Sequence, residues 1–253
     1  MIRGYEIAAV WQREMKKFFA DPGMIVTSIL VPLMAILIIG FGLNRFIAIP
    51  GLQIDYLDFF GPGGIAVLSI GAAIFVGFSI IRDKRGYIKE LLVVPISRYS
   101  ILIGKILSEI TMQLLTLLVT VVIIVFFFSK TDRGAWGIGL TVGFMFLIVF
   151  GFSGFGIVLS SVFRNAKSYN QLMTIILIPI MFLSGAFFPL DGFPESWRWV
   201  TYLNPLTYGV DGIRWALIGV SEFSVAFDIA FLVCFASAMM FLGAFLFERN
   251  LKK

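Results

Sequence analysis

Long apolar runs constrain the fold of this chain more than any other feature. A helix needs roughly 20 mostly apolar residues to cross a hydrocarbon core of about 30 Å. Six stretches approach or exceed that length, each with at most one charged residue: Met24–Leu43, Phe59–Ile81, Ile106–Phe128, Ile138–Phe163, Gln171–Phe187 and Val225–Phe247. Hydrophobic residues make up 59% of the 253 positions, above the range of globular domains. We therefore predict an all-α membrane protein with six transmembrane helices in a single transmembrane domain, residues 1–253.

Lysine and arginine divide unevenly between the two sides that these spans define. Fifteen lie on the side that holds both termini and segment 82–105, and five lie on the other side. Short cytoplasmic loops are enriched in these residues, so we expect a multi-pass protein of the cell (inner) membrane with both termini in the cytoplasm. The asymmetry accounts for the net charge of +5 without a nucleic-acid partner. We expect no cleavable signal peptide, because the first apolar run begins only at Met24.

The residue inventory argues against an enzyme. Histidine is absent, and the single cysteine, Cys234, falls inside the last span, so no intrachain disulfide and no Cys/His metal site is expected. The Gly104-Lys105 pair lacks the flanking glycine and Ser/Thr of a phosphate-binding loop. We therefore predict no cofactor and no ATPase site. If the protein drives uphill transport, another chain hydrolyses the nucleotide.

Residues 1–20 are predicted to form an amphipathic helix in the plane of the membrane interface. Apolar side chains recur at helical spacing on one side, at Ile7, Ala8, Trp11, Met15 and Phe18. Charged side chains occupy the other side. Two interpretations stay open for this helix, a simple lipid anchor or a lever that also contacts a cytoplasmic partner. Asp21-Pro22-Gly23 then predicts a turn into the first span.

Segment 188–224, on the predicted outer side, differs from an ordinary loop. Pro194 suits the start of one short helix, and Asn204 with Pro205 suits the cap and first position of another. Aromatic residues of the kind that settle at membrane–water boundaries are Trp197, Trp199, Tyr202, Tyr208 and Trp215. We predict two short re-entrant helices that dip into the outer leaflet before the last span.

Few ionisable residues fall near the membrane interior. Glu109 lies near the cytoplasmic end of the third span, and Asp228 lies near the outer end of the sixth. Neither is at the bilayer centre, where a proton or sodium relay would need a carboxylate, so we expect structural roles for both. Arg214 in the outer segment needs a partner, and Asp211, three residues earlier, is the nearest candidate.

The cytoplasmic segment 82–105 carries eight charged side chains between the second and third spans. Within it, Tyr87–Val94 follows Gly86, stops at Pro95 and is typical of one or two helical turns. A rigid short helix at this place could transmit a push from a partner. A flexible basic loop would only set the orientation of the chain in the membrane.

Two motifs in the chain resemble the type 2 ABC exporter permeases. One is RGYIKELLVVPISR, residues 85–98, followed by ILIGKIL, residues 101–107. The other is NPLTYGVDGIR, residues 204–214, with the similar SGAFFPLDGFP, residues 184–194, upstream. The resemblance covers the whole chain in order. It is closest to the daunorubicin-type drug-resistance branch, although lipid- and polysaccharide-exporting branches share the plan.

The resemblance implies the permease subunit of an ATP-binding-cassette exporter. Such a subunit moves an amphiphilic or hydrophobic substrate outward, whether a drug-like molecule, a lipid or a lipid-linked glycan. Two separate ATPase subunits and a second, identical permease chain are the implied partners, together with membrane lipid. In this family the short helix between the second and third spans, here Tyr87–Val94, is the coupling helix that docks on the ATPase. The implied ATPase-docking residues in and beside it are Arg85, Tyr87, Lys89, Glu90, Leu91, Leu92 and Arg98. A second, separate set of implied site residues belongs to the outer re-entrant segment: Pro194, Trp197, Asn204, Pro205, Tyr208 and Arg214.

Two other function classes stay open at this point. A non-ABC secondary transporter or channel would work without nucleotide and would need a polar path through the spans. A membrane enzyme acting on lipids would use the acidic residues near the outer aromatics, which are Asp191, Glu195 and Asp211. No histidine or metal motif accompanies that group, which disfavours the enzyme.

The charge asymmetry gives a topology prediction. After replacement of Cys234, single cysteines near Lys130 should react with a membrane-impermeant maleimide added outside intact cells, and cysteines near Lys89 should react only after the membrane is opened. The reverse pattern would invert the predicted orientation.

Overall fold

The chain is helical throughout the part that its structure describes. The computed structural model describes residues 4–46, 55–85, 98–128, 134–163 and 165–251. In chain order these residues form α1 (Gly4–Ala20), α2 (Pro22–Asn44), α3 (Tyr56–Ser69), α4 (Gly71–Arg85), α5 (Arg98–Phe128), α6 (Gly134–Val162), α7 (Ala166–Phe182), a 3₁₀ turn (Leu190–Gly192), α8 (Glu195–Leu203), α9 (Pro205–Ile218) and α10 (Val225–Leu251). No strand occurs within these ranges, which confirms the predicted all-α class.

Most of the predicted spans are present as long apolar helices. Within the described ranges, five segments are long and apolar enough to cross a membrane: Pro22–Asn44, Tyr56–Ile81, Ile103–Val125, Gly134–Val162 and Val225–Phe247. They correspond to the first four predicted spans and the last one. Asp21 caps the first of them, since its Oδ1 accepts a hydrogen bond from the Met24 amide over 3.1 Å.

The fifth predicted span corresponds to α7, which has the predicted length but lies five residues nearer the N-terminus than Gln171–Phe187. This helix has 17 residues, about 25 Å at 1.5 Å per residue, the lower limit for a membrane crossing. The predicted end at Phe187 is wrong, because the helix stops at Phe182 and the chain turns through Gly185, whose φ is +76°. That a sixth helix crosses the membrane therefore stays a prediction.

The second predicted span is interrupted between α3 and α4, at Ile70. In hydrocarbon, any backbone group that a break releases must find a partner within the protein. The partner at this break is Gln113, in the middle of α5, whose side-chain amide donates to the Leu68 carbonyl over 3.1 Å. A polar side chain deep in one span thus stabilises the interruption of its neighbour.

Helix α6 occupies the centre of the bundle. It contacts α3, α4, α5, α9 and α10, and its contact with α10 is the most extensive in the structure. A Cβ atom added at Gly154 would lie 2.7 Å from the Met240 nitrogen and 2.8 Å from the Met239 carbonyl carbon. The missing side chain therefore lets the backbones of α6 and α10 touch, as small residues do between membrane helices.

The two ends of the bundle can be told apart by their contacts. At one end, the Lys105 ammonium donates to the Ser79 carbonyl over 3.4 Å, which joins α5 to α4 near Arg98 and Arg85, where these helices begin and end. At the other end, the Tyr56 hydroxyl at the start of α3 donates to the Phe187 carbonyl over 3.2 Å. The segment between α4 and α5 and the segment between α7 and α10 therefore belong to opposite ends.

The outermost helices present apolar side chains to their surroundings. On α2, Val31 and Ile38 are 64% and 68% exposed, and on α10 Phe241 is 72% exposed. Large apolar side chains displayed at this density are a liability in water but normal against lipid. The bundle is therefore built for a bilayer.

The close approach at Gly154 gives a prediction with an internal control. Gly154→Ala should lower the midpoint of thermal unfolding in detergent, because a methyl group there must push the α10 backbone away. Gly143→Ala, on the same helix, should leave the midpoint unchanged or raise it slightly, since no atom lies within 4 Å of the added Cβ and alanine favours helix by about 1 kcal/mol. Equal effects of the two changes would contradict the proposed contact.

Candidate functional site

The segment between α7 and α10 is ordered by turns and two short helices. After α7, the chain makes a left-handed turn at Gly185 and a 3₁₀ turn at Leu190–Gly192. Pro194 occupies the cap position of α8, and Gly219, with φ +75°, closes the end of α9. The predicted pair of short helices is present, with nine residues in α8 and fourteen in α9.

Asn204 joins the two short helices to α7. Its Oδ1 accepts a hydrogen bond from the Leu206 amide over 3.0 Å and so caps α9, with Pro205 at the first helical position. Its Nδ2 donates to the Ile180 carbonyl over 2.7 Å. Because the residue is buried, both halves of the side-chain amide satisfy backbone groups that have little access to solvent.

Helix α9 is buried on nearly every side, between α3, α6 and α10. Glycines allow this, since a Cβ at Gly209 would lie 2.6 Å from the Ile148 side chain, and the ring of Phe144 occupies the corresponding place at Gly212. A helix that is buried all round belongs to a core and not to a surface loop.

Arg214 is the charged residue at the centre of this arrangement. The side chain is 3% exposed, and its Nη2 donates to the Gly185 carbonyl over 2.8 Å. The guanidinium carbon lies 3.9 Å from the centroid of the Phe59 ring, a cation–π contact with α3. Burial lowers the pKa of Arg214 to about 10, so the group stays charged at neutral pH. One cation thereby fastens α9 to both α3 and the turn after α7.

Asp211, the candidate partner of Arg214, acts on it through its charge but forms no ion pair with it. Both carboxylate oxygens of Asp211 accept backbone hydrogen bonds instead, from Glu222 over 2.8 Å and from Phe223 over 2.9 Å. Burial raises the pKa of Asp211, while these two bonds and the charge of Arg214 act in the opposite direction. The reason for the difference is that the i, i+3 spacing permits a pair but does not require it when the loop after α9 offers two amide donors.

Aromatic rings surround the start of α10. Tyr208 is buried, stacks on Phe231 at 4.1 Å between centroids, and donates its hydroxyl to the Tyr202 carbonyl over 2.7 Å. The predicted boundary role therefore does not fit Tyr208, which packs inside. Nearby, Asp228 is fully buried, and neither of its carboxylate oxygens has a hydrogen-bond partner among the described residues.

Three other predicted boundary aromatics lie on α8 and are exposed, whereas Trp215 on α9 is half-buried. Trp197 and Trp199 are 55% and 61% exposed, and Tyr202 is 45% exposed. The same helix carries the charged residues Glu195 and Arg198, so α8 has the amphipathic character of an interfacial helix.

The predicted ATPase-docking residues fall mostly outside the described part of the chain. Tyr87, Lys89, Glu90, Leu91 and Leu92 lie in the segment 86–97, of which nothing is described. Arg85 and Arg98 mark the last residue of α4 and the first residue of α5.

The chain is similar to known membrane transport proteins. The family described as ABC-2 type transporter matches residues 5–218. The chain is 28% identical over 185 residues to the probable multidrug ABC transporter permease YbhS of Escherichia coli (strain K12), covering 72% of this chain and 48% of YbhS. It is 26% identical over 205 residues to the inner membrane transport permease YadH of the same strain, covering 78% of this chain and 76% of YadH. It is 25% identical over 270 residues to nodulation protein J of Rhizobium meliloti (strain 1021), covering 98% of this chain and 95% of that protein.

The region that matches the family includes the helices whose contacts are described above. Residues 5–218 run from α1 to the end of α9, so they include the segment between α4 and α5 and both short helices, α8 and α9. The chain spans about half the length of YbhS, so an activity of that whole protein does not transfer directly.

The two asparagine caps of the structure give a matched test of the outer site. Asn204→Ala should lower the free energy of unfolding by about 2 kcal/mol, because it removes a cap and leaves the partly buried Ile180 carbonyl without its bond to Asn204. Asn165→Ala removes the exposed cap of α7, whose Oδ1 accepts from the Lys167 amide over 3.1 Å, and should have about half that effect. Equilibrium unfolding in mixed micelles measures both, and equal losses would contradict the second bond of Asn204.

Proposed function

The chain belongs to the ABC-2 type transporter family, and from this premise we propose that it is the permease subunit of an exporter powered by a separate ATPase. That it is the membrane subunit of an ABC transporter follows from the family and its transport-permease relatives. The proposal adds outward direction, coupling to ATP hydrolysed on another chain, and an amphiphilic or hydrophobic substrate. It rests most on the family match, which covers both ends of the bundle.

The substrate class is proposed from the surface that the bundle offers. The described spans carry few charges, and their outward faces on α2 and α10 are strongly apolar. A path lined by such helices suits a drug-like molecule, a lipid or a lipid-linked glycan better than a small ion. We propose that the path forms between this chain and a second, identical chain, with two ATPase subunits below.

The outer segment is proposed to be embedded in the outer leaflet. Helix α7 reaches only about 25 Å, and α9 begins beside its outer end, where Asn204 binds the Ile180 carbonyl. From there α9 runs along α6 toward Gly134, passing Ile148 and then Phe144. Fourteen residues extend over about 21 Å, so α9 is too short to cross a core of about 30 Å by itself, as a re-entrant helix would be.

An embedded helix at this place would close the outer side of the path. Arg214 holds α9 to α3 and to Gly185, and Asp211 holds it to the loop that leads into α10. Opening the path would require these bonds to break or to move together as one body. This supports a gate with two discrete positions.

The opposite end is proposed to receive the ATPase. Helix α4 ends there and α5 begins there. The segment that joins them carries the predicted coupling helix with Leu91 and Leu92. Apolar anchors buried in a partner's cleft usually supply most of the binding energy of an interface, whereas charges at its rim set rate and salt sensitivity.

Co-purification of the ATPase subunit tests this proposal. Leu91→Asp or Leu92→Asp should abolish association, because a buried, unpaired carboxylate costs several kcal/mol. Lys89→Ala should weaken association by roughly 1 kcal/mol or less, and more visibly at low salt. Leu91→Met serves as the matched control, since it keeps an apolar side chain of similar size.

All four variants should insert into the membrane normally, since none of these positions lies in a span. Retention of the partner by both Asp variants would mean that the segment is only a topology signal. Transport by the purified chain alone, without nucleotide, would instead support a secondary transporter or channel.

A further inference from the structure

The apolar face of α1 is covered by protein and not by lipid. Met15 and Phe18 form a small core with Met112 of α5, and Trp11 and Ile25 pack against it. The Trp11 indole donates to the Thr111 hydroxyl over 3.1 Å. An interpretation of α1 as a helix anchored by its apolar face in lipid therefore does not fit, and the face that stays open is the opposite one.

The open face is basic. Small and basic residues line a shallow groove along one side of the helix, at Ala9, Gln12, Arg13, Lys16, Lys17 and Ala20. Glu14 at its edge pairs with Arg13 over 3.3 Å and with Lys17 over 3.2 Å. Lys16 is exposed and forms no ion pair with any residue that the structure describes, so this face keeps a net positive charge.

The groove lies beside the part of α5 where the last charged residue gives way to an uncharged run. On α5, Glu109 is the last charged residue before an uncharged run to Phe128, and Thr111 follows it by two positions. Trp11 is bonded to Thr111, so α1 lies beside this boundary. Helix α2, which carries no charge between Met24 and Asn44, starts directly after α1. We expect the phosphate groups of the bilayer near this boundary.

Exposed apolar side chains follow the basic residues along the chain, at the end of α1 and the start of α2. Phe19 is 60% exposed, Met24 48% and Val26 56%. A basic face with an apolar border matches a ligand that has an anionic head and acyl chains. An acidic protein surface would satisfy the lysines but would leave these three side chains without an apolar contact.

We propose that the basic face of α1 binds the headgroup of an anionic phospholipid of the cytoplasmic leaflet. The phosphate lies against Lys16 and the neighbouring Arg13 and Lys17, and the acyl chains cover Phe19, Met24 and Val26. The site is independent of the transported substrate and of the ATPase. It would fix the depth and tilt of α1, which contacts both α2 and α5.

Native mass spectrometry of the full chain in detergent tests the site. Phosphatidylglycerol and phosphatidylcholine with the same acyl chains are titrated separately, and glycerol phosphate serves as the free-headgroup control. The wild type should bind phosphatidylglycerol more tightly than phosphatidylcholine and should not retain glycerol phosphate. A juxtamembrane lysine contributes about a fivefold change in affinity for an anionic surface, so Lys16→Ala should weaken phosphatidylglycerol binding about fivefold and Lys16→Glu about 25-fold.

Two controls make the result specific. Lys16→Arg keeps the charge and should bind as the wild type does. Lys167→Ala removes an exposed lysine at the start of α7, at the same end of the bundle, and should leave the affinity unchanged. Lys16 variants with wild-type affinity for phosphatidylglycerol, or equal binding of both lipids, would overturn the proposal. Loss of the ATPase subunit from Lys16→Glu with lipid binding intact would also overturn it and would assign the face to the partner protein.

Discussion

The structure depends on one constraint, that no backbone hydrogen-bonding group may be left unpaired inside hydrocarbon. Continuous helices meet it by themselves, but this bundle contains a broken helix and two short ones. At each irregularity a polar side chain from another element supplies the missing partner. Gln113 donates to the Leu68 carbonyl just before the break at Ile70. Asn204 donates to the Ile180 carbonyl of α7 and caps α9, and Arg214 donates to the Gly185 carbonyl in the turn after α7. The main role of these polar residues is therefore structural, since each binds a backbone group of another element.

The same constraint links stability to the proposed mechanism. Arg214 stabilises α9 only while the Gly185 carbonyl and the Phe59 ring stay in place. Without them, burial of its charge would destabilise the fold. Any motion of α9 must therefore either carry Phe59 and Gly185 along or exchange these bonds for others. Glycines of α9 let side chains of α6 come close, Ile148 at Gly209 and Phe144 at Gly212, so the two helices pack tightly. Helix α9 is therefore packed closely and is held by a few polar bonds that can be exchanged. This combination suits a helix that moves between two positions.

Much of this architecture could be predicted from the sequence, because hydropathy and capping act locally. Apolar runs located α2, α5, α6 and α10, and the Asn204-Pro205 pair located the start of α9 to the residue. The end of α7 was misjudged because hydropathy stays high past Phe182, whereas the helix ends at a backbone turn through Gly185. Partners of Arg214 and Gln113 are carbonyls and a ring far away in sequence, and nothing local marks them. The unpartnered carboxylate of Asp228 was likewise invisible, since burial by neighbouring helices creates it.

The central claim is that the outer segment is a gate driven by ATP hydrolysed at the other end of the bundle. Accessibility of a buried outer residue during turnover tests it most directly. With Cys234 replaced, a cysteine at Ser184, which is 1% exposed, is compared with one at exposed Ser196 on α8, using a membrane-impermeant maleimide added outside. The account predicts that Ser184→Cys reacts only when the complete transporter hydrolyses ATP, while Ser196→Cys reacts at the same rate with or without nucleotide. Rapid labelling of Ser184→Cys without ATP, or no labelling at all during turnover, would contradict it.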